Sequence, residues 1–258
     1  MIFIQPSINP IILSIGYVDI RWYSLAYIIG FIIGSILIKK LNRRSYNLIS
    51  DNLIDSFFIW AVMGVIIGGR LGYVIFYQTN VFQSDPLYIL KIWNGGMSFH
   101  GGLIGIIISI YLFCIKKRIN FFYLSDLVSL VAPFGLFFGR ISNFINTELY
   151  GRITDFHFAI IYPLIDNNPR HPSQLYEALS EGVVLFIILF IYFYKDPKKY
   201  IIGNVSALFL IFYSLFRFSI EYLREPDYHL GLFYNHFSMG QLLCIPLFVA
   251  GLIIFMRK

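Results

Sequence analysis

Residues 138–152 read FGRISNFINTELYGR and close an apolar run that begins near residue 124. They put Arg140, Asn143, Asn146 and Glu148 where continued lipid contact would be expensive. An arginine at the middle of a spanning helix costs roughly 2.5 to 3.5 kcal/mol on insertion scales, so this stretch implies a polar cavity inside a membrane protein, not a lipid-facing surface. The composition agrees. Hydrophobic residues make up 58% of the chain and charged residues only 13%, against about 25% charged in ordinary soluble domains.

Working outward, the apolar material falls into seven blocks, 22–38, 56–76, 97–115, 124–141, 175–194, 203–222 and 239–256. Most are near the ~20 residues that a helix needs to cross a bilayer. None alternates apolar with polar as a barrel strand would. The expected fold is therefore all-α, a polytopic membrane protein with seven transmembrane helices. Lys39, Lys40, Arg43, Arg44, Lys116, Lys117, Arg118, Lys195, Lys198, Lys199, Arg257 and Lys258 all fall on one side of that arrangement, whereas Arg21, Lys91, Arg152, Arg170 and Arg224 fall on the other. The positive-inside rule then puts the N-terminus outside and the C-terminus in the cytoplasm. Basic residues scattered at helix ends give no nucleic-acid surface. MIFIQPSINP has no basic n-region and is interrupted by Pro6 and Pro10, so the first span is expected to stay in the mature protein. Residues 1–258 read as one membrane domain, with the longer outer connections 77–96, 142–174 and 223–238 forming a small cap.

Trp22, Tyr23 and Trp93 sit where amphipathic rings anchor at headgroup depth, and for Tyr23 that role stands beside a site role. Gly64, Gly68, Gly69 and Gly72 are read as close-packing positions. Cys114 and Cys244 are read as packing residues. Arg70 lies too deep in its span for a surface charge; it either pairs with a buried acid such as Asp126 or Glu221 or joins the site.

Arg70, Arg140 and Arg217 lie near the outer ends of spans, beside His100 and Glu221 and few other acids. Such an excess of guanidinium groups points to an anionic ligand. Phosphate matches the planar fork of donors, and in a membrane its common carrier is a phospholipid headgroup. His100, flanked by Gly95, Gly96, Gly101 and Gly102, is the side chain best suited to move a proton near neutrality. In RHPSQLYE, residues 170–177, Ser173 reads as a helix cap and Glu177 as a first-turn acid. His157, His229 and His236 stand apart and form no metal motif. No nucleophile elbow, P-loop or dinucleotide fingerprint is present either.

The run GRISNFINTELYGR, with RWYSLAY (21–27), GGRLGYVIFY (68–77), GGMSFHGGLIG (95–105), RHPSQLYE (170–177) and FRFSIEYLREPD (216–227), resembles the prolipoprotein diacylglyceryl transferase family in the same order over nearly the whole chain. The resemblance implies a multi-pass enzyme of the bacterial inner membrane whose site faces the outer side beneath a small periplasmic cap. It implies transfer of the diacylglyceryl group of phosphatidylglycerol to the lipobox cysteine of a prolipoprotein, leaving a thioether and glycerol phosphate, with no metal or cofactor. It also implies catalytic roles for Tyr23, His100, Arg140 and Arg217. Arg140, Asn143, Asn146, Glu148, Gly151, Glu221 and Arg224 are implied in substrate binding, and Arg70 joins them as a candidate. Thr147 departs from the glycine more usual in that signature, and the segment between Gly151 and Arg170 is short. A transporter or channel for an anionic solute is the competing reading. It expects broken helices at the membrane midplane and often inverted repeats, whereas the polar residues here gather toward the outer ends.

Overall fold

Each apolar block folds as helix, because a run with no water to serve its backbone must satisfy its own hydrogen bonds. The computed structural model describes residues 3–15, 18–91, 96–226 and 237–257. The long helices are α1 (Trp22–Arg44), α2 (Asp51–Tyr77), α4 (Phe99–Lys117), α5 (Phe121–Ile145), α8 (Asn204–Ile220) and α9 (Met239–Met256). A further continuous rod joins α6 (Ser173–Glu177), a π-helical stretch Ala178–Val184 and α7 (Leu185–Lys195). A short α3 (Thr79–Ser84) and a 3-10 turn (Pro86–Leu90) follow α2. Among the described residues, five helical segments are long and apolar enough to cross a membrane: Ser24–Arg44, Asp51–Ile75, Phe121–Ile145, Ser173–Lys195 and Met239–Met256. The apolar helix Asn204–Ile220 is shorter.

The chain divides into two compact units. In Lys39–Ser125, α2 lies along α4 with almost no side chain between them. A Cβ on Gly72 would come within 2.7 Å of the Gly101 Cα, and one on Gly68 within 2.7 Å of the Gly105 Cα. The glycines of α2 are thus packing residues, as their spacing indicates. At the other end of this unit the Tyr123 hydroxyl donates to Asn42 Oδ1 (2.8 Å) and Asn42 Nδ2 donates to the Ile49 carbonyl (2.7 Å), a buried knot with its polar atoms satisfied.

The other unit comprises Met1–Ile38 and Asp126–Lys258. Here Asp126 of α5 is fully buried and accepts from the backbone of Gly203 (2.6 Å) and Ser206 (2.8 Å) and from Ser206 Oγ (2.6 Å). A carboxylate at the start of α8 complements its unsatisfied N–H groups, so it fixes α5 against α8. Short strands lie outside the helices. β1 (Phe3–Ile4) pairs in parallel with β4 (Ile160–Ile161), which pairs antiparallel with β5 (Pro169–Arg170), and β2 (Ile11–Ile15) with β3 (Val18–Arg21) forms a hairpin. The proline-interrupted N-terminal segment is therefore part of a sheet with the 150–170 region, a pairing that local patterning does not reveal.

Candidate functional site

The end of α5 supplies the first guanidinium. Arg140 Nη1 stands 3.2 Å from Glu177 Oε2, and its Nη2 donates at 3.0 Å to Glu181 Oε2. Glu177 closes α6 and Glu181 lies in the π-helical stretch that follows. Such wide turns are rare and concentrate at functional sites. Gly182 lets this stretch press on α5, since a Cβ there would sit 2.7 Å from the Phe137 Cβ, three residues before Arg140. From α8, Arg217 Nη1 reaches Glu177 Oε1 at 2.9 Å and Glu221 Oε2 at 2.5 Å. Arg224 Nη1 adds a longer contact to Glu177 Oε1, 3.7 Å. Ser238, which caps α9, donates from Oγ to Glu221 Oε1 at 2.7 Å. Glu177 is 0% exposed and meets three arginines.

This geometry corrects two inferences from the sequence. Glu177 is the last residue of α6, not a first-turn acid, and Ser173 does not cap α6: its hydroxyl donates to the Leu149 carbonyl at 2.7 Å while Pro172 holds the cap position. Nor is there an excess of arginine here, because Arg140, Arg217 and Arg224 are answered by Glu177, Glu181 and Glu221. The missed signal was a pair of carboxylates four residues apart inside the apolar block 175–194, since acids in a span are functional candidates by cost alone.

A second polar group sits where α5 ends. Asn143 Nδ2 donates to Glu148 Oε2 at 2.9 Å and Asn146 Nδ2 to Glu148 Oε1 at 3.3 Å. The chain can fold Glu148 back in this way only by a sharp reversal, with Thr147 at φ 59° and Leu149 at φ 58°. A β-branched residue at positive φ is strained, which explains why glycine suits this position. Gln5 braces the reversal: Thr147 Oγ1 donates to its Oε1 (3.0 Å) and its Nε2 donates to the Phe144 carbonyl (2.5 Å). Gln174 Nε2 donates to the Glu148 carbonyl at 2.6 Å. Helices α5 and α6 therefore contribute to both polar groups.

Gly151 connects the loop after α5 to the cluster. It forms an antiparallel bridge with Arg224, its N–H donates to the His171 carbonyl (2.9 Å), and a Cβ there would meet His171 Cβ at 2.6 Å and the Leu223 carbonyl at 2.7 Å. Arg170 braces the same turn, with Nη1 donating to the Gly151 carbonyl (3.1 Å), Nη2 2.7 Å from Asp166 and Nη1 3.2 Å from Glu225. Hydrogen bonds from Arg170 hold the Asp166 carboxyl down at about 2, and burial lowers the His171 imidazole below its usual value.

In the other unit, Arg70 donates to the carbonyls of Tyr88 and Lys91 (both 2.8 Å) and of Ile89 and Gly96 (both 3.3 Å), and lies 4.8 Å from the Tyr88 ring centroid. It holds that loop, while Asp126 and Glu221, the acids proposed for it, are engaged by α8 and by Arg217 and Ser238. Tyr23 lies in α1 and His100 in the first turn of α4, but their side chains fall outside the described residues. Trp93, His229 and His236 also fall outside them. Cys114 and Cys244 are free and buried.

Comparison with known proteins gives one answer. The family model described as prolipoprotein diacylglyceryl transferase matches residues 10–257. The chain is 50% identical over 248 residues to the phosphatidylglycerol--prolipoprotein diacylglyceryl transferase of Rickettsia felis, covering 95% of each chain. It is 50% identical to that of Rickettsia typhi, covering 96% of each, and 49% identical to that of Rickettsia canadensis, covering 97% of this chain and 96% of the relative.

Proposed function

The chain belongs to the prolipoprotein diacylglyceryl transferase family, and we infer from this that it transfers the diacylglyceryl group of phosphatidylglycerol to a prolipoprotein. The acceptor is the lipobox cysteine thiol, and the products are a thioether and glycerol phosphate. It is a multi-pass protein of the bacterial inner membrane. The seven apolar blocks, each helical, and the one-sided distribution of Lys and Arg support seven crossings with the N-terminus and the site on the outer face.

The observation that carries the chemistry is the convergence of Arg140, Arg217 and Arg224 on Glu177 inside the helices. Sulfur attacks the glyceryl carbon, the carbon–oxygen bond breaks, and its electron pair leaves on the phosphate. Guanidinium groups fixed beforehand stabilise that growing charge more in the transition state than in the ground state. Gly240 keeps space open beside one of them, since a Cβ there would lie 3.2 Å from Arg217 Nη2. Because the arginines are already paired, the phosphate assignment rests on family membership and on this preorganisation, not on surplus charge. Asn143 and Asn146 hold the Glu148 carboxylate, and Gly151 sets Arg224, which gives these motif positions a role in shaping the substrate cavity.

The thiol must lose its proton, because at neutral pH only a few per cent of an ordinary cysteine is thiolate. His100 is the base in this scheme and Tyr23 a further catalytic residue, both carried over from the family motifs. The test is the purified protein with phosphatidylglycerol and a lipobox peptide: a thioether-linked product is expected. Its absence under conditions where a relative is active would overturn the reading.

A further inference from the structure

Glu181 pairs with Arg140. Its Oε2 accepts from Arg140 Nε (3.3 Å) and Nη2 (3.0 Å), while among the described residues Oε1 is buried without a hydrogen-bond partner. Glu177 and Glu221 differ, because both oxygens of each have a donor or an ion-pair partner. The titratable and charged groups near enough to act electrostatically on Glu181 are Arg140 on α5, Glu177 on α6, Tyr213 and Arg217 on α8 and Cys244 on α9. A buried carboxylate oxygen with no donor is costly as an anion, and the same atom as a hydroxyl becomes a donor with an acceptor to find.

With all six side chains ionised, three arginines balance three glutamates in this cluster, so a phosphodiester headgroup brings an uncompensated negative charge into a buried site. Resting on the reading that phosphatidylglycerol is the lipid substrate, we propose that Glu181 takes up one proton when the anionic headgroup binds. Uptake restores neutrality, keeps Oε2 on Arg140 and gives Oε1 a proton to donate toward the headgroup. The site is thereby matched to a lipid that carries one negative charge. Glu181 is a positioning and charge-compensating residue, acting through Arg140.

The test is calorimetric titration of dihexanoylphosphatidylglycerol into the full-length protein in detergent micelles, in buffers of different ionisation enthalpy. The wild type is expected to take up about one proton per lipid bound, with Kd rising about tenfold per pH unit on the alkaline side. Glu181→Gln, which keeps an acceptor for Arg140 but carries no charge, is expected to bind with no net proton uptake and a Kd flat with pH. Binding to the wild type without proton uptake would overturn the proposal and leave the lipid reading intact. Unchanged uptake in Glu181→Gln would overturn it too, by placing the proton elsewhere. Failure of the folded wild type to bind this lipid at all would defeat the lipid reading and, with it, this inference.

Discussion

Two networks of arginine and carboxylate stand in the same unit of this protein and differ mainly in burial. Around Arg170, the partners Asp166 and Glu225 are 27% and 46% exposed, whereas around Arg140 and Arg217 the partner Glu177 is 0% exposed. Water shares the first network, so its pairs are screened and each contributes little to stability. The second must satisfy itself, and its desolvation cost largely cancels its Coulombic gain. A buried ion cluster is thus a poor way to stabilise a membrane helix bundle, and its presence speaks for chemistry. The Arg170 network instead sets backbone, holding the turn through which Gly151 reaches Arg224.

The sharpest way to break this comparison is the same substitution in both places. Arg140→Lys replaces a fork that spans Glu177 and Glu181 with a point charge. Turnover is expected to fall about 10²- to 10³-fold, the scale of losing one preorganised donor to a developing anion. Arg170→Lys is expected to change turnover only a few-fold, as fits a pair whose carboxylates are partly open to water. Both are read from initial rates of thioether formation, and equal losses would erase the distinction between the networks.

Gly151→Ala tests whether the turn at Gly151 positions the cluster. The added Cβ would meet the Leu223 carbonyl at 2.7 Å and crowd the His171 carbonyl, with backbone on both sides. Overpacking of that kind costs about 1 to 3 kcal/mol, and the displaced bridge carries Arg224 away from Glu177. We expect a lower unfolding temperature together with roughly tenfold slower turnover, since about 1.4 kcal/mol of lost transition-state positioning is tenfold in rate. Full activity at the lower unfolding temperature would show that the bridge supports the local fold alone.

How far the sequence speaks for itself differs between these regions for a physical reason. The helices were legible because apolar runs of bilayer length have few alternatives, and Arg140 and Arg217 stood out by their cost in lipid. Glu177 was visible but misread, because a carboxylate beside Ser173 and Pro172 also fits an ordinary helix start. Glu181 went unseen because its partner Arg140 lies 41 residues away, a pairing set by tertiary contact. Likewise nothing local in MIFIQPSINP announces that Gln5 reaches Thr147, 142 residues on. The departure at Thr147 was legible as a difference, and the structure supplies its meaning as a left-handed backbone position.

Thr147 gives a smaller effect with two opposing parts. Its positive φ costs about 1 to 2 kcal/mol, while its hydroxyl bond to Gln5 returns about 0.5 to 1.5 kcal/mol. Thr147→Gly removes both and should leave the unfolding temperature nearly unchanged. Thr147→Ala keeps the strain and loses the bond, so it should destabilise by about 1 kcal/mol. If Thr147→Ala melts with the wild type, Gln5 does not brace the reversal, and if the two variants melt alike the left-handed position carries no strain.

The smallest expected effect is the response of the exposed network to acid. Hydrogen bonds from Arg170 hold the Asp166 carboxyl at about 2 in the folded protein, below the ordinary value of about 3.9. A lowered folded-state pKa means that the pair's contribution is complete above pH about 4 and is lost as pH falls toward about 2. Hydrogen exchange at residues 166–170 should therefore quicken across that window, and added salt should weaken the pair at neutral pH because its partners are exposed. In Asp166→Asn the acid step should vanish and the salt response shrink to the Glu225 contact. An acid step that survives in Asp166→Asn would mean that a group other than Asp166 titrates there, and the Asp166–Arg170 pair would then not be what holds the turn against acid.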